Sequence, residues 1–228
     1  MNLQAGFLLS YVKYGENDAI IHAFTENDGF QSYFLKGIYS KKNKKKAFLL
    51  PLNKLNFVIN IAKGSSIPTI SRFELVEFYD FYTDINANTV VFFISDFLNQ
   101  ILRIENKNNA IFAGIDEFLS ELNLKNYQSH LIFLIKILKI QGVAPLESDG
   151  KYLDPETGTF TFEIMHQYFD EYNSMIWKNI LSSENPYEVK IQSKFRRTVL
   201  DSILIYYHYH FADFRTPASL EVIQQIFE

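Results

Sequence analysis

Apolar residues fall in short strand-length runs over the first eighty positions and at helical spacing thereafter. The run "GFLLSYVKY" (6–14) is stopped by the turn cluster "GEND", and "AIIHAFT" (19–25) is stopped by "ENDG". "FQSYFLKGIY" (30–39) alternates, with Phe30, Ser32, Phe34 and Lys36 on one face and Gln31, Tyr33 and Leu35 on the other. "LNKLNFVINIA" (52–62) and "IPTISRFELVEFY" (67–79) supply two more strands. Pro68 stands near the start of the last one, where a missing N–H is tolerated. Five short strands with turn signals between them predict a small barrel, of OB or SH3-like type.

After Tyr82 the period changes. Val90, Ile94, Phe97, Leu98, Ile101 and Leu102 recur at helical spacing, and Ile111, Phe112, Ile115, Phe118, Leu119 and Leu122 form a second stripe. "YQSHLIFLIKILKIQGV" (127–143) is apolar almost all round, which predicts a buried helix ending at Gly142. "YLDPETGTFTFE" (152–163) carries Asp-Pro and Thr-Gly turn signals between β-branched and aromatic residues, the pattern of a hairpin. Helices are expected at about 166–181, 188–211 and 217–227. The predicted class is α+β: a five-stranded N-terminal barrel over 1–80, then a mainly helical domain over 81–228 with a hairpin insertion at about 150–163.

Composition narrows the chemistry. The 228 residues contain no cysteine, which excludes disulfides, thiol nucleophiles and cysteine-ligated metal. The opening residues make a poor signal peptide, and no stretch is long and uncharged enough for a membrane span. The chain lacks phosphate-loop, dinucleotide and zinc-protease motifs. His208 and His210, at i and i+2 of a helix, point to nearly opposite faces and are ill placed to share a metal. The acidic pairs Glu74/Glu77 and Asp170/Glu171 read as solvated faces. No catalytic residue, metal or cofactor is expected.

Charge is divided unevenly. Residues 1–72 carry ten Lys/Arg against four Asp/Glu, and residues 73–228 carry twelve against twenty-two. The centre of the basic part is "YSKKNKKKAF", with Lys41, Lys42, Lys44, Lys45 and Lys46 in six positions. Between two strands, such a tract suits phosphate contact, in which each lysine releases a counterion. Lys13, Lys36, Lys54, Lys63 and Arg72 lie on the same strands or their turns, interleaved with Tyr11, Tyr14, Phe30, Tyr33 and Phe34. A basic barrel with aromatics holds single strands by charge and stacking. A second basic group, Lys190, Lys194 and Arg197, is spaced for one helix face, with Arg197 able to pair with Asp201. Two other readings fit the basic barrel: an adaptor docking an acidic protein surface, and a nuclease, for which no carboxylate cluster is visible.

The order of motifs resembles the RecO family of recombination mediators. The resemblance rests on Tyr14-Gly15-Glu16 with Asp18, Phe24-Thr25, Gly29, Lys36-Gly37, and Leu50-Pro51 to Leu55. It continues through "RFELVEFY", the helix-Gly-x-x-Pro passage "LKIQGVAPLESDGKYLDPETGTF", and the C-terminal "LDSILIYYHYHFADFRTPASLEVIQQIF". It implies an OB-fold N-terminal domain and a cytoplasmic, nucleoid-associated bacterial protein without enzymatic activity. Such a protein binds single- and double-stranded DNA and anneals complementary strands. With RecR it helps load RecA onto strands coated by the single-stranded-DNA-binding protein SSB. The resemblance further implies a seat for the acidic C-terminal tail of SSB in the helices, with Phe112 and Phe133 as apolar lining and Lys136, Lys139 or Arg103 as the cation. Many members carry a four-cysteine zinc site after the Gly-x-x-Pro passage; this chain has no cysteine, so zinc is not carried over. Where members often have Lys-Ser-Arg near the end, "TPASLE" stands instead.

Overall fold

A computed structural model describes residues 2–61 and 67–225. The chain divides into two compact units, Met1–Phe112 and Ala113–Glu228. In the first, strands β1 (Asn2–Tyr14), β2 (Asp18–Thr25), β3 (Gly29–Leu35), β4 (Lys54–Asn60) and β5 (Thr69–Leu75) close a barrel in the order β1-β2-β3-β5-β4. All pairings are antiparallel except β3 with β5, which meet at Phe34↔Thr69 and Leu35↔Ile70. The predicted alternation of β3 is present: Tyr33 and Leu35 point into the core with Leu8, Ile21, Phe57, Ile70 and Phe73, while Phe30, Ser32 and Phe34 stay half-buried outside.

β3 is shorter than its apolar pattern. It stops at Leu35, because Gly37 turns the chain at φ +69 and its N–H donates to Asp18 Oδ1 at 2.7 Å. Ile38, expected on the strand, is buried in the barrel core from the turn that follows. Helix α1 (Ile85–Ile101) completes this unit. Asp84 caps it by accepting from the N–H groups of Asn86 and Ala87, which are orphan donors at a helix start. Its buried stripe of Val90, Ile94, Phe97 and Leu98 is the one the period predicted. Ser95 Oγ donates to Leu9 O, and Ser10 Oγ to Asn99 Oδ1 at 3.0 Å, so α1 is tied to β1.

The second unit contains the body of α2 (Asn109–Asn123), then α3 (Ser129–Ile140), the hairpin β6 (Tyr152–Asp154) and β7 (Thr159–Thr161), α4 (Glu171–Ser182), α5 (Ser193–His210) and α6 (Leu220–Gln224). Leu131 to Ile135, Ile137 and Leu138 of α3 are fully buried, as an all-round apolar helix requires. Trp177 of α4 packs against Tyr206 of α5 at 5.0 Å, and its indole N–H donates to Ser202 Oγ. Helices α4 and α5 start five residues later than their patterns suggested. Before α4, His166 to Asp170 form turns; before α5, Pro186–Glu188 form a single 3-10 turn.

The hairpin is held by turn chemistry. Asp154 accepts from Glu156 N–H and Thr157 Oγ1, and Gly158 N–H donates to Asp154 O. Leu153 N–H donates to Ser174 Oγ, and Lys178 Nζ donates to the carbonyls of Ser148 and Gly150. The fold in this region rests on these bonds and on buried Leu153 and Phe160. A chelator should therefore leave the melting temperature unchanged, whereas loss of a structural zinc site would remove folding free energy. A chelator-induced drop of several degrees in calorimetry counts against this account.

His130 is wholly buried, and its Nδ1–H donates to Tyr127 O at 2.7 Å. Burial pushes its pKa down to about 4, the Tyr127 bond opposes that, and the Arg196 charge adds to it. The unfolded chain takes up this proton near pH 6.5, and the folded one does so only near pH 4. Stability is therefore full above pH 6.5 and falls with pH through this window, by about 1.4 kcal/mol per unit and about 2 kcal/mol at pH 5. His130→Asn, whose amide can still donate to Tyr127 O, should flatten that part of the profile in urea titrations at stepped pH. Parallel wild-type and variant profiles would refute the assignment.

Candidate nucleic-acid interface

The lysine tract is built rather than loose. Ser40 N–H donates to Gly37 O, Asn43 N–H to Ser40 O, and Tyr39 N–H to Asn17 O at 2.9 Å. The Asn43 amide donates to Gly37 O while its oxygen accepts from Lys45 N–H at 2.9 Å. These bonds fold residues 37–42 into turns and lead into a 3-10 helix over Lys45–Phe48. The tract between the two strands is therefore a short structured arm. Asn43, set between two groups of lysines, was the readable signal, because Asn bonds its own backbone two residues on.

The five lysines separate into two kinds. Lys41, Lys42, Lys44 and Lys46 are exposed, whereas Lys45 is half-buried. Lys45 Nζ donates to Phe73 O of β5 at 2.7 Å and lies 5.4 Å from the Phe73 ring centre. It anchors the arm to the barrel. Lys46 and Lys13 lie 4.9 and 5.6 Å from the centre of the Tyr39 ring, a pair of cation–π contacts that holds Tyr39 between arm and β1.

Between arm and barrel runs a concave surface of about 590 Å³, lined by Lys36, Lys42, Lys44, Lys45 and Arg72 over a floor of Leu35, Ile70 and Phe73. Arg72 also pairs with Glu74, both exposed, so its charge is partly offset. Five cations named from the sequence thus converge on one groove. Lys54 does not join them: its Nζ sits 5.4 and 5.2 Å from the ring centres of Phe7 and Phe112. Lys63 lies outside the described residues.

The second basic group is corrected in one respect. α5 begins at Ser193, so Lys190 precedes the helix and shares no face with Lys194 and Arg197. Lys194 lies over the Phe195 ring at 4.7 Å, and Arg197 acts on the half-buried Asp201 carboxyl, whose pKa burial raises.

The residues expected to seat a protein tail each have partners of their own. Phe112 packs on Phe7 with ring centres 4.8 Å apart, in the first unit. Phe133 is fully buried in the second unit and stacks on Phe118 at 4.9 Å. Lys136 Nζ is 2.6 Å from Glu117 Oε2 and also lies over the Tyr187 ring, and Lys139 Nζ donates to Leu181 O at 3.3 Å. Arg103, in the first unit, is exposed and acts electrostatically on His22, whose pKa is lowered chiefly by burial. What the pattern missed is a cleft of about 470 Å³ beside the start of α3, where Lys125, Lys190 and Arg196 surround Tyr187. Its cations come from three separate segments, so no local spacing marks it.

The two histidines of "YYHYHF" have separate partners. His208 Nε2 meets Thr216 Oγ1 at 3.1 Å, and His210 Nε2 donates to Pro155 O at 2.9 Å. Asp170 caps α4 and Glu171 pairs with Lys151 at 2.9 Å. Among the described residues no group of three or more His, Asp or Glu is disposed to hold a metal ion, and no helix is long and apolar enough to cross a membrane.

A closed barrel of this strand order with a cationic groove, followed by helices, defines an OB-fold protein of α+β class. The family models for the N-terminal and C-terminal parts of recombination protein O match residues 1–79 and 82–150. A protein of Flavobacterium psychrophilum described as DNA repair protein RecO is 30% identical over 96% of both chains. Proteins so described from Flavobacterium johnsoniae and Bacteroides fragilis are 29% and 26% identical over 96% and 98% of both chains. The chain belongs to the RecO family.

Proposed function

We propose that this protein acts in DNA repair as a non-enzymatic recombination mediator, with the barrel over 1–80 as its DNA-binding domain and 81–228 as its helical domain. The observation that carries the reading is the groove in which Lys36, Lys42, Lys44, Lys45 and Arg72 converge. A polyphosphate chain is the ligand whose charge such a groove complements, and the RecO relatives are described as DNA repair proteins. Annealing needs no active site: neutralised phosphates let two strands approach, and base pairing supplies the free energy. With RecR, the protein helps load RecA onto SSB-coated single strands in the bacterial cytoplasm. Anisotropy of labelled single- and double-stranded DNA across a salt series tests the reading. Binding that weakens steeply with salt supports it. Salt-sensitive binding of an acidic protein with no binding of DNA supports the adaptor instead.

The same reading gives the helical unit the acidic tail of SSB. A tail ending in an apolar residue and a free carboxylate needs an apolar wall with a cation at its rim. Lys136 is engaged by Glu117, whereas Lys125, Lys190 and Arg196 outnumber Glu121 and Glu188 around an open cleft with Tyr187. The double variant Lys190→Glu with Arg196→Glu should lower tail-peptide affinity at least about tenfold in calorimetry, with DNA affinity little changed. If Lys136→Glu with Lys139→Glu has the larger effect, the tail sits at the middle of α3 instead.

A further inference from the structure

The β6–β7 hairpin plays no part in the DNA reading, and its surroundings are unlike an ordinary solvated surface. Leu146 N–H donates to Gly158 O and Ser148 Oγ to Phe160 O, both at 2.8 Å, so residues 146–148 run beside β7 on the edge that β6 leaves open. Leu153 and Phe160 are the buried residues of this small sheet. The residues that border it are apolar and exposed. Leu146, Phe162, Ile164 and Met165 are 69%, 78%, 55% and 60% exposed. Leu146 bridges to Thr159, the first residue of β7, and Phe162 follows the last; the strand is 3 residues long, about 10 Å at strand rise. Thr161 Oγ1 meets the carbonyl oxygens of Tyr152 and Glu163 at 3.2 and 2.8 Å, which holds the 162–165 run against the hairpin. Met175 of α4, also exposed, stands between Glu171 and Lys178 on the helix face that grips the hairpin through Lys151 and the carbonyls of Ser148 and Gly150. Single exposed apolar residues are ordinary, but a group of them around one short strand marks a contact surface.

The charges give the partner its chemistry. Glu147, Asp149, Glu156 and Glu163 are exposed on the same segments, and no cation among the described residues pairs with them. The two lysines of the region are occupied, Lys151 by Glu171 at 2.9 Å and Lys178 by the two carbonyls. We propose that this face docks a basic amphipathic segment of another protein, with its apolar side chains on Phe162, Ile164 and Met165 and its Lys or Arg residues against the four carboxylates. Nucleic acid and anionic lipid meet the same four negative charges and are repelled. A neutral apolar partner would strip water from the carboxylates without supplying a counter-charge. Cations flanking apolar anchors satisfy both parts of the face at once. Phe162, Ile164 and Met165 add nothing to the buried residues of the hairpin, so the fold does not require them to be apolar. The inference is independent of the DNA-binding reading, because the lysine groove belongs to the first unit and this face to the second.

The test titrates the full chain, by anisotropy, into three labelled peptides of about 16 residues, the length of a short docking helix. The first has leucine at helical spacing with lysine elsewhere. The second replaces its leucines with serine, and the third replaces its lysines with glutamine. Wild-type protein should bind the leucine–lysine peptide at least about tenfold more tightly than either control. Phe162→Ser with Met165→Ser should remove the preference over the serine peptide. Glu147→Gln with Glu163→Gln should weaken leucine–lysine binding about fivefold and reduce its salt dependence. Both variants should melt with the wild-type chain, because the exchanged side chains are exposed. Equal wild-type affinity for the leucine–lysine and serine–lysine peptides overturns the proposal. So does wild-type affinity for the leucine–lysine peptide in Phe162→Ser with Met165→Ser. Salt-sensitive self-association in sedimentation velocity, abolished by Phe162→Ser, would give the face to the lysine arm of a second copy and overturn the separate partner.

Discussion

Replacing Lys41, Lys42 and Lys44 with alanine should lower the salt slope of DNA binding by about 2 for single strands and nearly 3 for duplex, at roughly 0.7–0.9 for each phosphate that is no longer neutralised. At 0.1 M salt that corresponds to roughly a hundredfold loss of affinity, if binding at 1 M is unchanged. The fold should survive, because these three side chains are exposed. Lys45→Ala should behave differently. It removes the bond to Phe73 O and the packing on the Phe73 ring, so it should loosen the arm and cost about 1–2 kcal/mol of stability, with a smaller change in slope. Melting curves and salt-series anisotropy on the same samples separate the two effects. A triple variant with the wild-type slope would take the arm out of the DNA site.

Gly29→Ala should be the most damaging single methyl in the barrel. Gly29 begins β3 at φ +69, where an L side chain is strained. A Cβ there would stand 2.3 Å from Asn106 C and 2.4 Å from the carbonyl oxygens of Asn106 and Glu105. Those are backbone atoms, already joined to the hairpin by Phe30 N–H donating to Glu105 O at 3.0 Å, so nothing can rotate away. Strain of about 1–2 kcal/mol plus overpacking of about 1–3 kcal/mol predicts a loss of roughly 2–5 kcal/mol, or roughly 5–15 °C in melting temperature. Gly37→Ala supplies the control. Its φ is also +69, but nothing lies within 4 Å of its added Cβ, so only the strain remains. Equal losses in the two variants would mean that residues 105–106 do not sit against the β2–β3 turn in solution.

The glycines of the motif pattern thereby acquire physical reasons. Both Gly29 and Gly37 were readable as turn residues. Only the fold distinguishes them: one is pressed against backbone about eighty residues away in sequence, and the other faces open space. The lysine tract behaves in the same manner. Its charge was visible in the sequence, but its division into four exposed lysines and one anchoring lysine depends on where Phe73 O lies.

The local pattern by itself determined the five strands, the alternation that buries Tyr33 and Leu35, the apolar stripes of α1 and α2, the all-buried α3 and the turn-held hairpin. These follow from side-chain period and turn chemistry, which act over a few residues. Tertiary structure decided what distance in sequence conceals. It gathered Lys36, Lys42, Lys44 and Arg72 around one groove while placing Lys54 over Phe7 and Phe112. It stopped β3 at Leu35, where Asp18 captures the Gly37 N–H, although the apolar pattern ran on to Tyr39. It committed Phe133 to the core and Lys136 to Glu117, and drew Lys125, Lys190 and Arg196 together instead. Periodicity states which face of an element is apolar; barrel closure and helix packing then decide which residues that face meets.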